Sequence, residues 1–508
     1  MEKYNYDKLQ NGSDIRGIAL EGVPGENVNI DAEAAGRIGR AFLFWLSNIT
    51  GKKPTELKIA IGRDPRLSGP SLIDSLAEGI TRHGAIVLNA GIASTPAMFM
   101  ATRFEEYDCD GAVMVTASHL PFNRNGFKFF DRIGGLDKDD ITDIITFAES
   151  DSMLNSMPPS GDGKVEKISL LDTYAAYLRS LIKDHTGFGE KPLEGMKITV
   201  DAGNGSGGFY ATEVLKPLGA DVSSSQFLEP DGSFPNHAPN PEDTQAIESI
   251  CEAVKKNKSD LGLIFDTDVD RASAVDEKGN EINRNGIVAL AAALIADKYP
   301  GTTVVTDSIT SIQLKDFLEN SLGLKHLRFK RGYKNVINKS KELNEAGTDS
   351  QLAIETSGHA AYKENYFLDD GAYLATKIVI KAALLFREGK YISSVISEMD
   401  APADSVEIRF PVLNSDFSTY ADTVIEKLKK ASEDGTLSNT HLDLPNYEGV
   451  RICFDDKDKQ GWILLRKSLH DPIMPLNIES SIAGGSDRIR EILKPFLHEF
   501  KDLDTSKL

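Results

Sequence analysis

Short runs of β-branched and aliphatic residues alternate along the chain with amphipathic stretches of helical period, the pattern of repeated β–α units. Leu57–Ile61 predicts a strand, followed by the polar loop Gly62–Gly69 and an amphipathic helix over Ser71–His83. Ala85–Leu88 and Val113–Val115 predict two further strands, and the second runs straight into Thr116, Ala117, Ser118 and His119. Ser150–Lys164 is rich in Ser, Pro, Gly and Asp and reads as a linker. The pattern restarts with a strand at Lys197–Val200 before the loop Asp201–Gly208, and another at Leu261–Phe265 before Asp266–Arg271. A third unit begins near Asn285. Its Ile287–Ala296 stretch is too short to span a bilayer and too rich in alanine for a strand, so a buried helix is expected. Strands at Thr303–Thr306 and Leu352–Ile354 follow, the latter leading into Glu355–His359.

After about Asp400 the texture changes. Val406–Val412, Val450–Phe454, Trp462–Leu465 and Leu476–Ile478 predict strands, with helices at Thr419–Lys430 and Ser486–Leu493. The expectation is an α/β protein: three related α/β domains with mixed sheets, over 1–155, 165–284 and 285–400, and a smaller α+β domain over 401–508. The similarity among the first three is loose. Each has a strand that ends in a loop of small and polar residues.

Composition narrows the class. A chain of 508 residues has room for roughly three to five domains. Forty per cent hydrophobic and 26% charged residues are ordinary for a soluble globular protein. A formal net charge of −20 disfavours nucleic acid and anionic membranes as partners, yet allows a small anionic ligand where local donors reverse the field. Cys109, Cys251 and Cys453 lie far apart and suggest neither a disulfide framework nor a metal site, so a reducing, cytoplasmic setting is expected. The opening MEKYNYDKLQ lacks the apolar core of a signal peptide.

Ligands of open α/β sheets gather beyond the carboxyl ends of strands, where three loops carry candidate chemistry. In the first, Ser118 and His119 follow a buried strand, and Asn125–Gly126 predicts a turn that brings Lys128 back toward the serine. A serine nucleophile needs such cationic and hydrogen-bonding neighbours, although a polar turn with a satisfied histidine has the same composition. In the second, Asp266, Asp268 and Asp270 alternate, so an extended backbone would turn all three to one side. Three close carboxylates repel unless a cation lies between them, and oxygen ligands favour Mg²⁺ before Ca²⁺. In the third, Glu355 and Ser357 suit sugar hydroxyls and His359 suits proton transfer, with Asp369–Asp370–Gly371 close behind. A helix start fits that third stretch equally well. Asp14–Gly17 and Gly62–Gly69 set Arg16, Arg63 and Arg66 among small residues, as an anion site or surface salt bridges would.

In this order the loops resemble the α-D-phosphohexomutase superfamily over nearly the whole chain, and its phosphomannomutase/phosphoglucomutase branch in particular. The family's phosphoserine loop has the form T-A-S-H-x-P followed by N-G-[FI]-K, its metal loop D-x-D-x-D-R, and its sugar loop E-x-S-G-H. Asp14–Gly17, Gly62–Asp64, Thr95–Pro96, Asp231–Gly232, Phe234–Pro235, Gly332 and Lys334 also match. The resemblance implies four domains around a central cleft and a phosphoryl group carried on Ser118. One Mg²⁺ per chain would be held by Asp266, Asp268, Asp270 and a phosphoserine oxygen. Ser118, His119, Lys128, Arg16 and His359 would be catalytic. Glu355, Ser357, Gly332, Lys334, Arg271, Arg466, Ser468 and His470 would bind substrate. The implied reaction moves a phosphoryl group between positions 1 and 6 of glucose or mannose phosphate through a hexose 1,6-bisphosphate, in a monomer or homodimer.

The chain departs from the family in its last domain. The family's phosphate clamp is R-x-S-G-T-E-P, and here the stretch is Arg466-Lys-Ser-Leu-His-Asp-Pro472. Leu469 removes a glycine that lets backbone N–H groups approach a phosphate, and His470 replaces the threonine donor. Downstream, Gly484–Asp487 reads as a capped helix start rather than a substitute anion site. Leu120 and Thr267 stand where Asn and Gly are usual. The altered clamp keeps two alternatives open: a phosphoglucosamine mutase, which Lys128–Phe130 also resembles, and a non-catalytic sugar-phosphate-binding homologue.

Overall fold

The computed structural model describes residues 6–156, 158–161, 163–468 and 471–508. Two compact units divide it: Met1–Ile295 with Ser357–Ile396, and Ala296–Thr356 with Ser397–Leu508. Among the described residues, no helix is long and apolar enough to cross a membrane.

The first unit holds a seven-stranded mixed sheet. Lys58–Arg63 lies at its centre, with Gly111–Val115 and Ile86–Ile92 parallel on either side. Beyond Gly111–Val115, the strands Arg124–Asp131, Asp14–Ile18 and Gln10–Asn11 pair antiparallel in turn. The helices Ala32–Thr50 and Gly69–Thr81 cover it with the core residues Ile38, Phe42, Leu72 and Leu76, all but fully buried. The Ser150–Lys164 linker is more ordered than its composition predicts. Asp151–Ser156 is helical, and Lys164 opens the strand Lys164–Lys167, which pairs parallel with Ile86–Ile92. Edge pairing there needs only backbone groups, so its exposed side chains left no hydrophobic signal.

A second sheet in this unit orders Ile198–Asp201, Leu261–Phe265, Ala272–Val275 and Glu281–Ile282. Only its first pair is parallel. The helix Asn285–Ala296 is buried along most of its length, as its uniform apolarity predicts. A short hairpin, Ala360–Tyr362 with Leu368–Asp369, leads into the buried helix Gly371–Arg387.

In the second unit, Thr303–Thr306 lies between Lys325–Arg328 and Leu352–Ile354, parallel to both. Its other sheet is wholly antiparallel: Asp404–Pro411, Ile473–Ser480, Gly461–Leu465, Val450–Phe454 and Thr440–Leu442. The helices Phe417–Glu433 and Gly485–Leu497 close one core with these strands through Val424, Leu428, Ile489 and Leu493. Gly484 precedes the latter helix at φ +71°, and Ser486 donates from its N–H and hydroxyl to Asp404. That helix start is capped by the protein's own carboxylate.

Candidate active site

Ser118 stands where the buried strand Gly111–Val115 ends, with its backbone at φ +50°. Left-handed geometry is unfavourable for a serine and persists only when the surroundings impose it. The chain reverses through two turns, closed by Leu120 N–H to Ala117 O and Arg124 N–H to Pro121 O. Asn125–Gly126 is therefore not the turn that the dipeptide predicts. Both residues lie buried inside the strand Arg124–Asp131, and a Cβ on Gly126 would stand 2.0 Å from Ile15 O. The glycine is needed for close strand approach. The same strand brings back Lys128, opposite Met114.

The aspartates of the second loop do converge, but not by strand alternation. The segment is a turn in which Val269 adopts φ +68°, and ligand oxygens of Asp266, Asp268 and Asp270 lie within 4.8 Å of one another. The Asp268 carbonyl accepts Thr95 N–H at 2.8 Å, and its carboxylate accepts the Thr95 hydroxyl. The Val269 carbonyl accepts Gly371 N–H at 3.0 Å. All three aspartates are fully buried. Burial and the neighbouring Asp270 push the Asp266 carboxyl well up; for Asp270, the cations Lys128, His359 and Arg271 outweigh burial and hold it down. The cluster fits a hard cation on its own evidence: Asp268 Oδ1 and Asp270 Oδ1 are buried oxygens with no hydrogen-bond partner.

Serine and aspartates share one constellation. The Ser118 hydroxyl donates to Asp266 Oδ2 at 3.1 Å and accepts from Arg271 Nη2 at 3.2 Å. His119 Nδ1 lies 3.3 Å from the same oxygen, and burial of the imidazole is the main cause holding its pKa well below the usual range. Lys128 Nζ is paired with Asp270 and lies 3.4 Å from Asp268 Oδ2. Arg16 donates to Thr116 O and pairs with Asp14, both at 2.8 Å. Arg271, buried, also reaches Asn240 at 3.2 Å.

The third loop is split between the two units. Ser357 and His359 belong with the metal loop, and Glu355 does not. Arg271 and His359 form an isolated antiparallel bridge, and Gly358, at φ +91°, has no room for a Cβ beside Ala272 O. A turn between strands thus replaces the helix start that its sequence also allows. His359 donates from Nδ1 to Asp369 Oδ2 and lies 3.9 Å from Asp270 Oδ1. Burial lowers its pKa, but Asp369 and Asp270 outweigh burial and push it up to about 9. Ser357 Oγ is buried without a hydrogen-bond partner.

In the second unit, Glu355 Oε1 accepts Gly332 N–H at 2.7 Å, with Gly332 at φ +108° before the helix Tyr333–Glu345. Lys334 lies half-buried in that helix's first turn. Arg466 is 6% exposed, its Nε has no hydrogen-bond partner, and Glu448 Oε1 lies 3.9 Å from its Nη1. Ser468 N–H donates to Ile473 O at 2.9 Å. Leu469 and His470 lie outside the described residues.

Two residues at these sites, Glu448 and Arg331, carried no distinct sequence signal. Glu448 accepts the Ser308 hydroxyl and Arg331 N–H besides facing Arg466. Burial, and after it the positive charge of Arg331, lowers the pKa of Arg466. Thr116 lies in the serine motif, but its side chain turns inward, donating to Asp64 Oδ2 at 2.7 Å. Arg66, one of the arginines placed for an anion, points into the protein and is fully buried.

A serine in left-handed geometry beside a buried carboxylate triad, an arginine and a lysine is an arrangement that suits metal-assisted phosphoryl transfer. The phosphoglucomutase/phosphomannomutase models for alpha/beta/alpha domains I, II and III match residues 7–152, 174–279 and 283–401. The chain belongs to this family. It is 30% identical to the phosphomannomutase/phosphoglucomutase of Pseudomonas aeruginosa, over 97% of this chain and 96% of that protein. It is 31% identical to the phosphoglucomutase of Neisseria gonorrhoeae, over 95% of each. A crystal structure of a phosphoglucomutase/phosphomannomutase family protein from Burkholderia thailandensis superposes with TM-score 0.78 at 26% identity, covering 99% of this chain and 100% of that one.

Proposed function

We propose that this enzyme is a phosphohexose mutase acting on glucose or mannose phosphate, with Ser118 as the phosphoryl carrier. Family membership supports the activity, and one observation supports the carrier: Ser118 Oγ lies within hydrogen-bond reach of both Asp266 and Arg271. In the proposed cycle, a sugar hydroxyl attacks the phosphorus of phosphoserine 118. The Ser118 Oγ–P bond breaks, and the hydroxyl proton leaves to a base. The hexose 1,6-bisphosphate so formed returns its other phosphoryl group to Ser118.

The residues divide this work. Arg271 is placed to offset charge on the serine oxygen as the bond breaks. Lys128 and Arg16 are the cations for the transferring group. His359, kept protonated by Asp369 and Asp270, is the acid for a leaving oxygen. Mg²⁺, held by Asp266, Asp268 and Asp270 with a phosphoserine oxygen, would neutralise charge on the phosphoryl group when bound. Glu355 and Ser357 suit sugar hydroxyls, while Gly332, Lys334, Arg466, Ser468 and His470 suit the phosphate that does not react. The three family models support the first three of the four domains, the antiparallel sheet beyond residue 401 supports a separate fourth, and a cytoplasmic setting fits a hexose phosphate substrate.

The test is intact-mass and phosphopeptide analysis of Ser118, with isomerisation assays on glucose and mannose 1-phosphates in Mg²⁺ and bisphosphate. Phosphorylation at Ser118 and interconversion of the 1- and 6-phosphates are expected. A serine that no bisphosphate phosphorylates would sink the mechanism.

A further inference from the structure

Arg66 is 0% exposed, and every N–H of its guanidinium is engaged. Nε donates to Asp64 Oδ2 at 3.1 Å. Nη1 donates to the carbonyls of Pro121 and Arg124 at 2.7 and 3.0 Å, and Nη2 to those of Ser118 and Leu120 at 2.5 and 2.6 Å. Five donors meet five acceptors, four of them carbonyls of the serine loop. These carbonyls turn inward around one cation.

The counter-ion is tied to the same loop. Asp64, also 0% exposed, accepts Arg66 N–H at 2.9 Å and the Thr116 hydroxyl at 2.7 Å. Thr116 Oγ1 in turn accepts Ser118 N–H at 3.0 Å. Both backbone polar groups of Ser118 are therefore fixed, the N–H through Thr116 and Asp64, the C=O by Arg66. The residue so held is the one at φ +50°. The Phe234 ring lies 5.4 Å from the Arg66 guanidinium carbon, and Gly232 lets its backbone approach, since a Cβ there would stand 2.2 Å from Pro65 O.

We propose that Arg66 is a positioning residue for phosphoryl transfer: it imposes the left-handed backbone of Ser118 and thereby the direction of its Oγ. It touches no reacting atom. Its loss acts on the step that needs the serine aligned, so it lowers kcat and leaves substrate binding nearly intact. Lysine cannot substitute, because an ammonium offers three donors from a point and cannot span four carbonyls and a carboxylate. The inference rests on the phosphoserine reading for its kinetic arm, but not for its structural one.

The test uses the full chain with Arg66→Lys, Arg66→Met, Thr116→Val and Thr116→Ser, each melted to establish folding. Steady-state kinetics on glucose 1-phosphate and amide hydrogen exchange of the 117–126 segment are then compared with wild type. Both Arg66 variants are expected to lose at least ~100-fold in kcat, with KM within about threefold and faster exchange in the segment. Thr116→Val is expected to lose ~10-fold in kcat, and Thr116→Ser, which keeps the hydroxyl, to restore most of it. A folded Arg66→Met with wild-type kcat, or with the loss in KM alone, overturns the proposal. Should the Arg66 variants not fold, the Thr116 pair decides, and a Val variant with unchanged kcat and exchange overturns it. If wild type isomerises no hexose phosphate, the mutase reading fails, while exchange in the segment still decides the positioning role.

Discussion

The serine–aspartate site of the first unit and the basic cluster of the second handle buried charge in opposite ways. Around Ser118, Lys128 meets two aspartates, Arg271 meets Asp266 and the serine, and Arg66 has all five donors occupied. The oxygens left over, on Asp268 and Asp270, are the ones a cation would take. In the second unit, Arg466 is also buried, yet its Nε has no hydrogen-bond partner and Glu448 stands 3.9 Å off. A buried guanidinium beside another positive charge is unfavourable unless an anion joins it. The first site matches its cations with carboxylates inside the protein. The second leaves Arg466 Nε open, as the proposed phosphate-binding role requires.

The largest expected effect removes the carrier. Ser118→Ala lowers mutase activity by several orders of magnitude while the protein still melts cooperatively, as isomerisation assays and a thermal scan would show. A variant within tenfold of wild type would remove Ser118 from the reaction.

Metal supply comes next. Mg²⁺ at about 100 times its Kd adds about 2.7 kcal/mol to the stability of a protein with one site. Wild type is expected to melt higher when Mg²⁺ replaces EDTA, and Asp268→Asn to lose most of that rise. Equal shifts in both proteins would place the cation elsewhere.

A smaller effect separates the two regions. Arg466→Met is expected to raise KM for the hexose phosphate about 10- to 100-fold, some 1.4–2.7 kcal/mol of binding, with kcat nearly unchanged. A fall in kcat at constant KM would put Arg466 with the transfer machinery instead.

The smallest concerns a buried pair away from both sites. His237 Nε2 faces Asp201 at 3.1 Å and Nδ1 faces Ala238 O at 2.9 Å, so both nitrogens need a proton. Burial lowers the His237 pKa, but the hydrogen bond and charge of Asp201 outweigh it, and the folded pKa is raised. Such a group stabilises the fold fully below its unfolded pKa of about 6.5, and the benefit is lost as pH rises through the folded value. His237→Gln should therefore lower Tm more at pH 6 than at pH 9, by about 1 kcal/mol of stability. An equal deficit at both pH values would contradict a charged pair.

The sequence by itself determined the strand–loop alternation, the family, and the residue types at the serine, metal and sugar loops. Periodicity and motif spacing are local, and strands buried on both faces such as Leu261–Phe265 announce themselves by unbroken apolarity. Tertiary structure decided what each polar residue faces. It turned Asn125–Gly126 from a turn into a strand, because only a glycine fits beside Ile15. It gathered the aspartates through a left-handed Val269 instead of an extended run. It made Arg66 an internal brace rather than an anion ligand, since the carbonyls that surround it come from residues more than fifty positions away. It also parted Glu355 from His359, four residues apart in the chain, into different compact units. Hydrogen-bond partners depend on where the backbone returns in space, and no local pattern encodes that.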